Sequence, residues 1–332
     1  MKHGGDLSEA SARYGEPAGG WLDLSTGINP NPFPLPELPL DCMARLPDKA
    51  AIAGLEAAAR IAYGVPDDAE VVAAPGTQAL IQVLPRLLAK SAVSIPGPTY
   101  SEHKNAWRAA GHEVSEDADA RDAKVVVLVN PNNPDGTRYS QAFLKGLAER
   151  LSALNGLLVI DEAFADAHPE VSFVAETHRS AVLVLRSFGK FHGLAGLRLG
   201  FAIAAPLAAQ RLRELLGPWA VSGPAIEIGR RALLDQEWAA RTRVALHEAA
   251  DRLDQVLAAR GLEVVGGTSL FRLVQTEQAH SLHDGLAHKG IWTRIFAHTP
   301  QWLRLGLPVG EPELHRLDDG LSGLLNVAQQ AS

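Results

Sequence analysis

A lysine set between glycines and aromatics, in SFGKFHGLAGLRLG at residues 187–200, is the group in this sequence whose surroundings most suggest covalent chemistry. A lysine amine that is desolvated near another cation becomes a nucleophile, and Schiff-base formation with a carbonyl is its recurrent reaction. Arg198 supplies such a cation, and Ser187 offers a hydroxyl to an anion. Taken alone, Lys190 has a plainer reading as a solvated charge. Gly76, Thr77 and Gln78 stand at a strand-to-helix turn. With Ser187 and Arg198 their N–H groups and hydroxyl can cradle a phosphate, although PGTQ can also simply start a helix.

Asp161 ends the apolar run LLVID, where a carboxylate is expensive unless it meets a positive partner. A protonated pyridine nitrogen is one such partner, held by an acid at this kind of position in pyridoxal phosphate enzymes. A helix N-cap is the other role open to it. Asn133, in NPNNPDG, can donate to a ring oxygen or serve only to hold a tight loop. Tyr100, in GPTYSEH, can stack on an aromatic ring or sit in the core with its hydroxyl satisfied.

The elements that would carry these groups alternate. Short apolar runs at 71–74, 92–95, 125–130, 157–161, 181–187 and 199–204 are separated by helical stretches. Near-continuous apolar strands of this kind imply a mostly parallel sheet covered on both faces. PGTQ, PGPTY, NPNNPDG, DEAFAD and SFGK each follow a strand, so five polar clusters are expected at the carboxyl edge, where open α/β sheets bind ligands. Residues 48–64 read as an amphipathic helix with Ile52, Leu55, Ala59 and Ala62 on one face, closing at Gly64. The stretch 25–39 carries five prolines and reads as an extended arm. Beyond about residue 205 long helices take over, the clearest at 225–261, with strand-like pieces at 269–274 and 302–307.

At 332 residues, with 46% apolar and 21% charged side chains, the chain can bury a large core, most naturally as one large and one small domain. Its net charge of −7 includes no basic run, which argues against nucleic acid and anionic membranes and for small-molecule partners. Cys42 is the sole cysteine, so no intramolecular disulfide can form. The first residues lack the apolar core of a signal peptide and no segment is apolar enough to span a membrane, so a cytoplasmic protein is expected. No metal site is assigned.

GTQ (76–78), PTY (98–100), NNPDG (132–136), DEAF (161–164), SFGK (187–190) and GLRLG (196–200) follow one another in an order that resembles the fold-type-I aminotransferase superfamily of pyridoxal phosphate enzymes. The resemblance spans nearly the whole chain. It implies the α/β fold of that superfamily: a large cofactor-binding domain at 41–210, with a mostly parallel sheet flanked by helices, and a small C-terminal α+β domain at 211–332. An N-terminal arm, 1–40, is expected over the active site. It makes Lys190 the amine that joins the cofactor and Asp161 the partner of its ring nitrogen. Asn133 would contact the 3′-oxygen, Tyr100 would stack on the ring, and Gly76, Thr77, Gln78, Ser187 and Arg198 would hold the phosphate. A homodimer is also implied.

Within the superfamily, an arginine placed as Arg304 is in QWLRLGLP clamps the substrate carboxylate, a task its planar fork suits, though here it can also be a solvent-facing strand residue. Two branches fit, the histidinol-phosphate aminotransferases and the threonine-phosphate decarboxylases of cobalamin synthesis. HGGD at 3–6 followed by DLSTGINP at 23–30 resembles the start of the second, and histidinol phosphate has no α-carboxylate. The expected reaction is loss of CO2 from L-threonine O-3-phosphate, giving (R)-1-aminopropan-2-yl phosphate. By the same resemblance His3, Gly4 and Asn29 of the arm, with Arg294 and Asn133, are candidates for holding the substrate. Two positions depart from the pattern. Phe164 stands where many relatives have the tyrosine of DEAY, and Leu46 where RYPD would offer a tyrosine to a neighbouring subunit.

Overall fold

The computed structural model describes residues 4–117 and 122–330. They form two compact units, one of residues 32–240 and one that joins 1–31 to 241–332. The boundaries thus fall at 31/32 and 240/241, against the 40/41 and 210/211 expected. The described residues up to 31 group with the C-terminal segment.

Within the unit of residues 32–240 lies a seven-stranded sheet in the order Glu70–Ala74, Gly200–Ala204, Val182–Ser187, Leu157–Asp161, Val125–Val129, Ala92–Ser94, Glu113–Ser115. Every apolar run identified in the sequence is a strand here, and the three central ones are buried along their whole length. That uniform burial follows from apolar layers on both faces, one built with Leu55, Leu144 and Phe201, the other with Leu80, Trp107 and Leu212. The edge strand Glu113–Ser115 was not foreseen; it is three residues long with two of them exposed, and so has no apolar signature.

Strand direction decides where the chemistry collects. Gly200–Ala204 is antiparallel to both neighbours, and all the other pairs are parallel. The loops after the parallel strands therefore open at one edge. The residues that precede the single reversed strand, Arg198 among them, open at the same edge.

Helix Lys49–Tyr63 matches the amphipathic reading: the Asp48 side chain accepts from Ala51 N–H, and Gly64 closes the helix at φ 63°. The periodic stretch at 225–261 is two helices, Gly223–Leu234 and Gln236–Ala259. Between them Asp235 leaves helical geometry, and its Oδ1 accepts from Trp238 N–H, capping the second helix while ending the first.

In the unit of residues 1–31 and 241–332, four antiparallel strands run in the order Arg294–Phe296, Thr299–Gly306, Phe271–Gln275, Glu263–Thr268. The opening residues, read as merely polar and turn-rich, include helix Leu7–Tyr14, which Asp6 caps by accepting from Ser8 and Glu9 N–H groups. Leu22–Asp23 pairs in parallel with Ile291–Trp292, whereas 25–39 holds neither helix nor strand, as its prolines require. Among the described residues no helix is long and apolar enough to cross a membrane.

Candidate active site

At the carboxyl edge of the seven-stranded sheet lies a cavity with about 630 Å³ of empty space, part of it open to solvent. Thr77, Gln78, Tyr100, Asn133, Asp161, Ser187, Lys190 and Arg198 all line it. Side chains from six segments spread over more than a hundred residues thus meet where the strand ends converge. Ile81, Val129, Ala163 and Phe164 supply its apolar wall.

One end of the cavity is built for an anion. Gly76 has φ +83° and leads into helix Thr77–Val83. A Cβ at Gly76 would lie 2.8 Å from Arg198 Nη2, so the guanidinium crosses the glycine where a side chain would stand. Arg198 is itself left-handed, at φ 53°, and its Nη1 donates to Ala195 O at 3.0 Å. Gly200 admits the close approach of the reversed strand, since a Cβ there would come within 2.6 Å of Thr77 N.

Asp161 lies elsewhere along the same wall, 3% exposed at the end of its strand. Its Oδ1 accepts from Ala163 N–H at 3.0 Å, and His103 Nε2 sits 2.9 Å from its Oδ2. His103 is fully buried on helix Ser101–Ala109, and its Nδ1 has no hydrogen-bond partner among the described residues. A ring nitrogen that faces a carboxylate oxygen is the donor of the pair, so His103 Nε2–H donates to Asp161. Sequence reasoning missed His103. Its spacing from Tyr100 was visible, but Asp161 is 58 residues away and only the fold joins them.

The loops that carry Asn133 and Tyr100 are tied to each other. Asn132 Nδ2 donates to Pro98 O at 2.9 Å and to Asp135 Oδ1 at 2.8 Å, while Thr99 Oγ1 donates to Asn132 Oδ1 at 2.6 Å. Asn130 accepts from Tyr139 N–H and donates to Val171 O. The two readings of NPNNPDG therefore divide among its asparagines: Asn130 and Asn132 hold loops, and Asn133 faces the cavity. Tyr100 donates to Gln78 Oε1 at 3.1 Å, and burial above all, then Glu102 and Asp161, push its hydroxyl up to about 12. Lys190 Nζ lies 6.0 Å from the centre of the Phe164 ring, which has no hydroxyl to offer.

Behind the cavity, alternation along the strands turns Glu162 and Arg186 to the other face. Arg186 spans Glu162 and Asp166 at 2.7 Å each and lies 4.3 Å over the Tyr63 ring. This buried trio ties the ends of the Asp161 and Ser187 strands. A pair so placed is worth little against apolar substitutes but is costly to break.

The remaining candidates belong to the other unit. Arg294 and Arg304 are directly opposed on adjacent antiparallel strands, and Arg304 is only 6% exposed. Burial first, and Arg294 second, hold the Arg304 guanidinium down at about 9. Like charges opposed in this way are destabilising, and an anion between them relieves the repulsion. Arg304 Nη2 donates to Ser25 O at 2.7 Å, and a Cβ on Gly4 would lie 2.2 Å from that oxygen. Asn29 is buried, with its Oδ1 accepting from Asn31 N–H at 2.9 Å. His3 lies outside the described residues.

An amine, a buried carboxylate, a tyrosine ring and a guanidinium–glycine anion seat around one cavity fit a flat, phosphorylated pyridine aldehyde.

Residues 50–317 match the family model for aminotransferase class I and II. The chain is 43% identical to a threonine-phosphate decarboxylase of Pseudomonas aeruginosa, over 99% of this chain and 100% of that protein. It is 44% identical to another of that name from a Sinorhizobium species, over 96% and 97%. In fold it resembles the histidinol-phosphate aminotransferase of Sinorhizobium meliloti, solved in complex with pyridoxal-5'-phosphate, with a TM-score of 0.83 at 19% identity over 97% of this chain and 95% of that one. The chain belongs to the class I and II aminotransferase family.

Proposed function

We propose that this chain is a pyridoxal phosphate enzyme that decarboxylates L-threonine O-3-phosphate to (R)-1-aminopropan-2-yl phosphate in cobalamin biosynthesis. The observation that carries this reading is the end-to-end similarity, at 43% and 44% identity, to two relatives named threonine-phosphate decarboxylase. The cavity supports it independently, because its donor set fits the cofactor.

In this reading Lys190 is the amine that holds the cofactor aldehyde, and Asp161, steadied by His103 and Ala163 N–H, keeps the ring nitrogen protonated. Gly76, Thr77, Gln78, Ser187 and Arg198 hold the cofactor phosphate, Tyr100 stacks on the ring, and Asn133 donates to its 3′-oxygen. When bound, the cofactor supplies an electron sink conjugated to the substrate Cα. The chain's own part would be to orient the substrate so that the bond to its carboxylate, and no other bond at Cα, is set to break. Arg304 and Arg294, with Gly4, Asn29 and His3 of the N-terminal segment, are the candidates for the carboxylate and phosphate of the substrate, and Asn133 is a further candidate. Lys190 Nζ is the acid of the cavity suited to return a proton to Cα after CO2 leaves. Phe164 withholds the hydrogen bond that a tyrosine would give the 3′-oxygen, which accords with an enzyme that does not cycle through amino transfer.

The protein acts as a cytoplasmic homodimer in this reading. Exposed Leu35, Leu40, Met43 and Leu46 form an apolar stretch that a second copy would cover, and Leu46 itself lends no hydroxyl to a neighbouring cofactor.

Purified protein incubated with pyridoxal phosphate and L-threonine O-3-phosphate should release CO2 and the amine product. Normal cofactor loading without CO2 refutes the substrate. Glutamate formation from 2-oxoglutarate with histidinol phosphate would instead mark a transaminase. Borohydride should couple the cofactor to the peptide containing Lys190 and fail to do so in Lys190→Ala.

A further inference from the structure

The turn that bears Lys190 is gripped from two sides at one residue. Lys190 sits in the four-residue helix Phe188–Phe191, and buried His192 follows as its C-cap. The imidazole is layered between two parallel rings, Phe188 at 4.1 Å and 8° and Trp238 at 5.5 Å and 12°. Phe191 closes the layer edge-on, 5.3 Å from His192 and 5.5 Å from Trp238. The His192 carbonyl meanwhile accepts from Phe33 N–H at 2.8 Å, and the Phe33 ring meets Trp238 edge-on at 5.2 Å.

Phe33 and Trp238 are not arbitrary partners. The backbone passes between the two units at 31/32 and again at 240/241, and these residues stand just inside those two crossings. Trp238 opens helix Gln236–Ala259, which runs on through the second crossing. Both segments by which the chain leaves this unit therefore end on the same residue, one on its backbone and one on its ring. Nothing in the cofactor cradle calls for a histidine at 192, which lies outside the set of side chains that line the cavity.

We propose that His192 is a positioning residue for Lys190, clamping the amine-bearing turn between the two connecting segments so that any shift of those segments is felt at Lys190. The inference rests on Lys190 being the cofactor-binding amine. Within the turn the backbone packs closely: Gly189 lies against Ala195, with room for no Cβ, Gly193 N–H reaches Lys190 O at 3.3 Å and Phe188 N–H donates to Leu199 O at 3.3 Å. Reactive groups lose rate steeply when misplaced, on the order of 100-fold per ångström, so a small slackening of this turn is measurable.

The test compares His192→Ala, His192→Phe and Trp238→Leu with the unaltered protein loaded with pyridoxal phosphate. Each is assayed by borohydride coupling, by visible circular dichroism of the bound cofactor, and by kcat and KM with L-threonine O-3-phosphate. His192→Ala should still couple at position 190 but with a weakened dichroic band and a kcat about tenfold lower at a KM within about twofold. Trp238→Leu should reproduce this, and His192→Phe, which keeps a flat ring, should restore it. A wild-type band and kcat in His192→Ala overturn the proposal, as does equal impairment of His192→Phe. If His192→Ala does not fold, a wild-type band in Trp238→Leu, a change at a half-buried side chain, overturns it alone. Failure of the unaltered protein to couple at Lys190 would strike the reading of Lys190 instead.

Discussion

His103→Phe offers a direct measure of how far the carboxylate of Asp161 depends on its neighbour. The substitution keeps a flat ring edge-on to Tyr100, where the imidazole now lies at 6.2 Å and 86°, and removes only the donor 2.9 Å from Asp161 Oδ2. A hydrogen bond to a charged group is worth about 1.5–3 kcal/mol. Asp161 would keep Ala163 N–H on its Oδ1, so it is loosened and not freed. If about half the lost energy is felt in the transition state, ~0.7–1.5 kcal/mol, kcat falls roughly 3- to 12-fold. KM should stay within about twofold, because substrate binding does not use this contact. Steady-state kinetics on the loaded protein, with the absorbance of the bound cofactor recorded across pH, provide the assay. A variant that folds with unchanged kcat and an unchanged absorbance titration would refute the claim that His103 acts through Asp161. A rise in KM alone would refute it equally.

Three further outcomes are expected. Arg198→Met should weaken cofactor retention by about 10- to 100-fold, the worth of a charge-assisted contact to phosphate, as read by titrating pyridoxal phosphate into stripped protein. Arg294→Gln removes a like charge opposite buried Arg304, so the protein without substrate should lose no stability in urea and gain up to about 1 kcal/mol, while KM rises at least about tenfold. His283 is pushed down to about 4, chiefly by burial, from an ordinary value of 6.5. Below 6.5 the unfolded chain takes up a proton that the folded one refuses, so stability is full above that pH and falls as the pH drops towards 4, by about 2–4 kcal/mol. His283→Leu should flatten that acid limb in urea titrations at pH 4 to 7.

The parts of this protein that could be read without coordinates are those where local chemistry is decisive. Short continuous apolar runs such as VVVLV and LLVID, alternating with helical stretches, read as buried strands of a mostly parallel sheet, and the turns after the parallel ones share an edge. Lys190, Asp161 and Arg198 stand in runs whose order resembles a known superfamily. Asp48 and Gly64 bound their helix where capping chemistry puts the limits. Where burial carried no local signal the reading failed: Glu113–Ser115 is an edge strand of polar residues, and Asp235 interrupts a helical pattern with a cap that only its φ and ψ reveal.

Contacts between residues far apart in sequence were decided by the tertiary structure alone. It set His103 against Asp161, passed Arg198 over a glycine, and left Asn133 facing the cavity while Asn130 and Asn132 tied loops together. It also opposed two arginines across a pair of strands, and it grouped residues 1–31 with the C-terminal segment. The physical reason is the same in each case. Periodicity and capping act over a few residues and are written into composition, whereas a hydrogen bond or a ring stack depends on the register of strands and helices that pair only when the whole core closes.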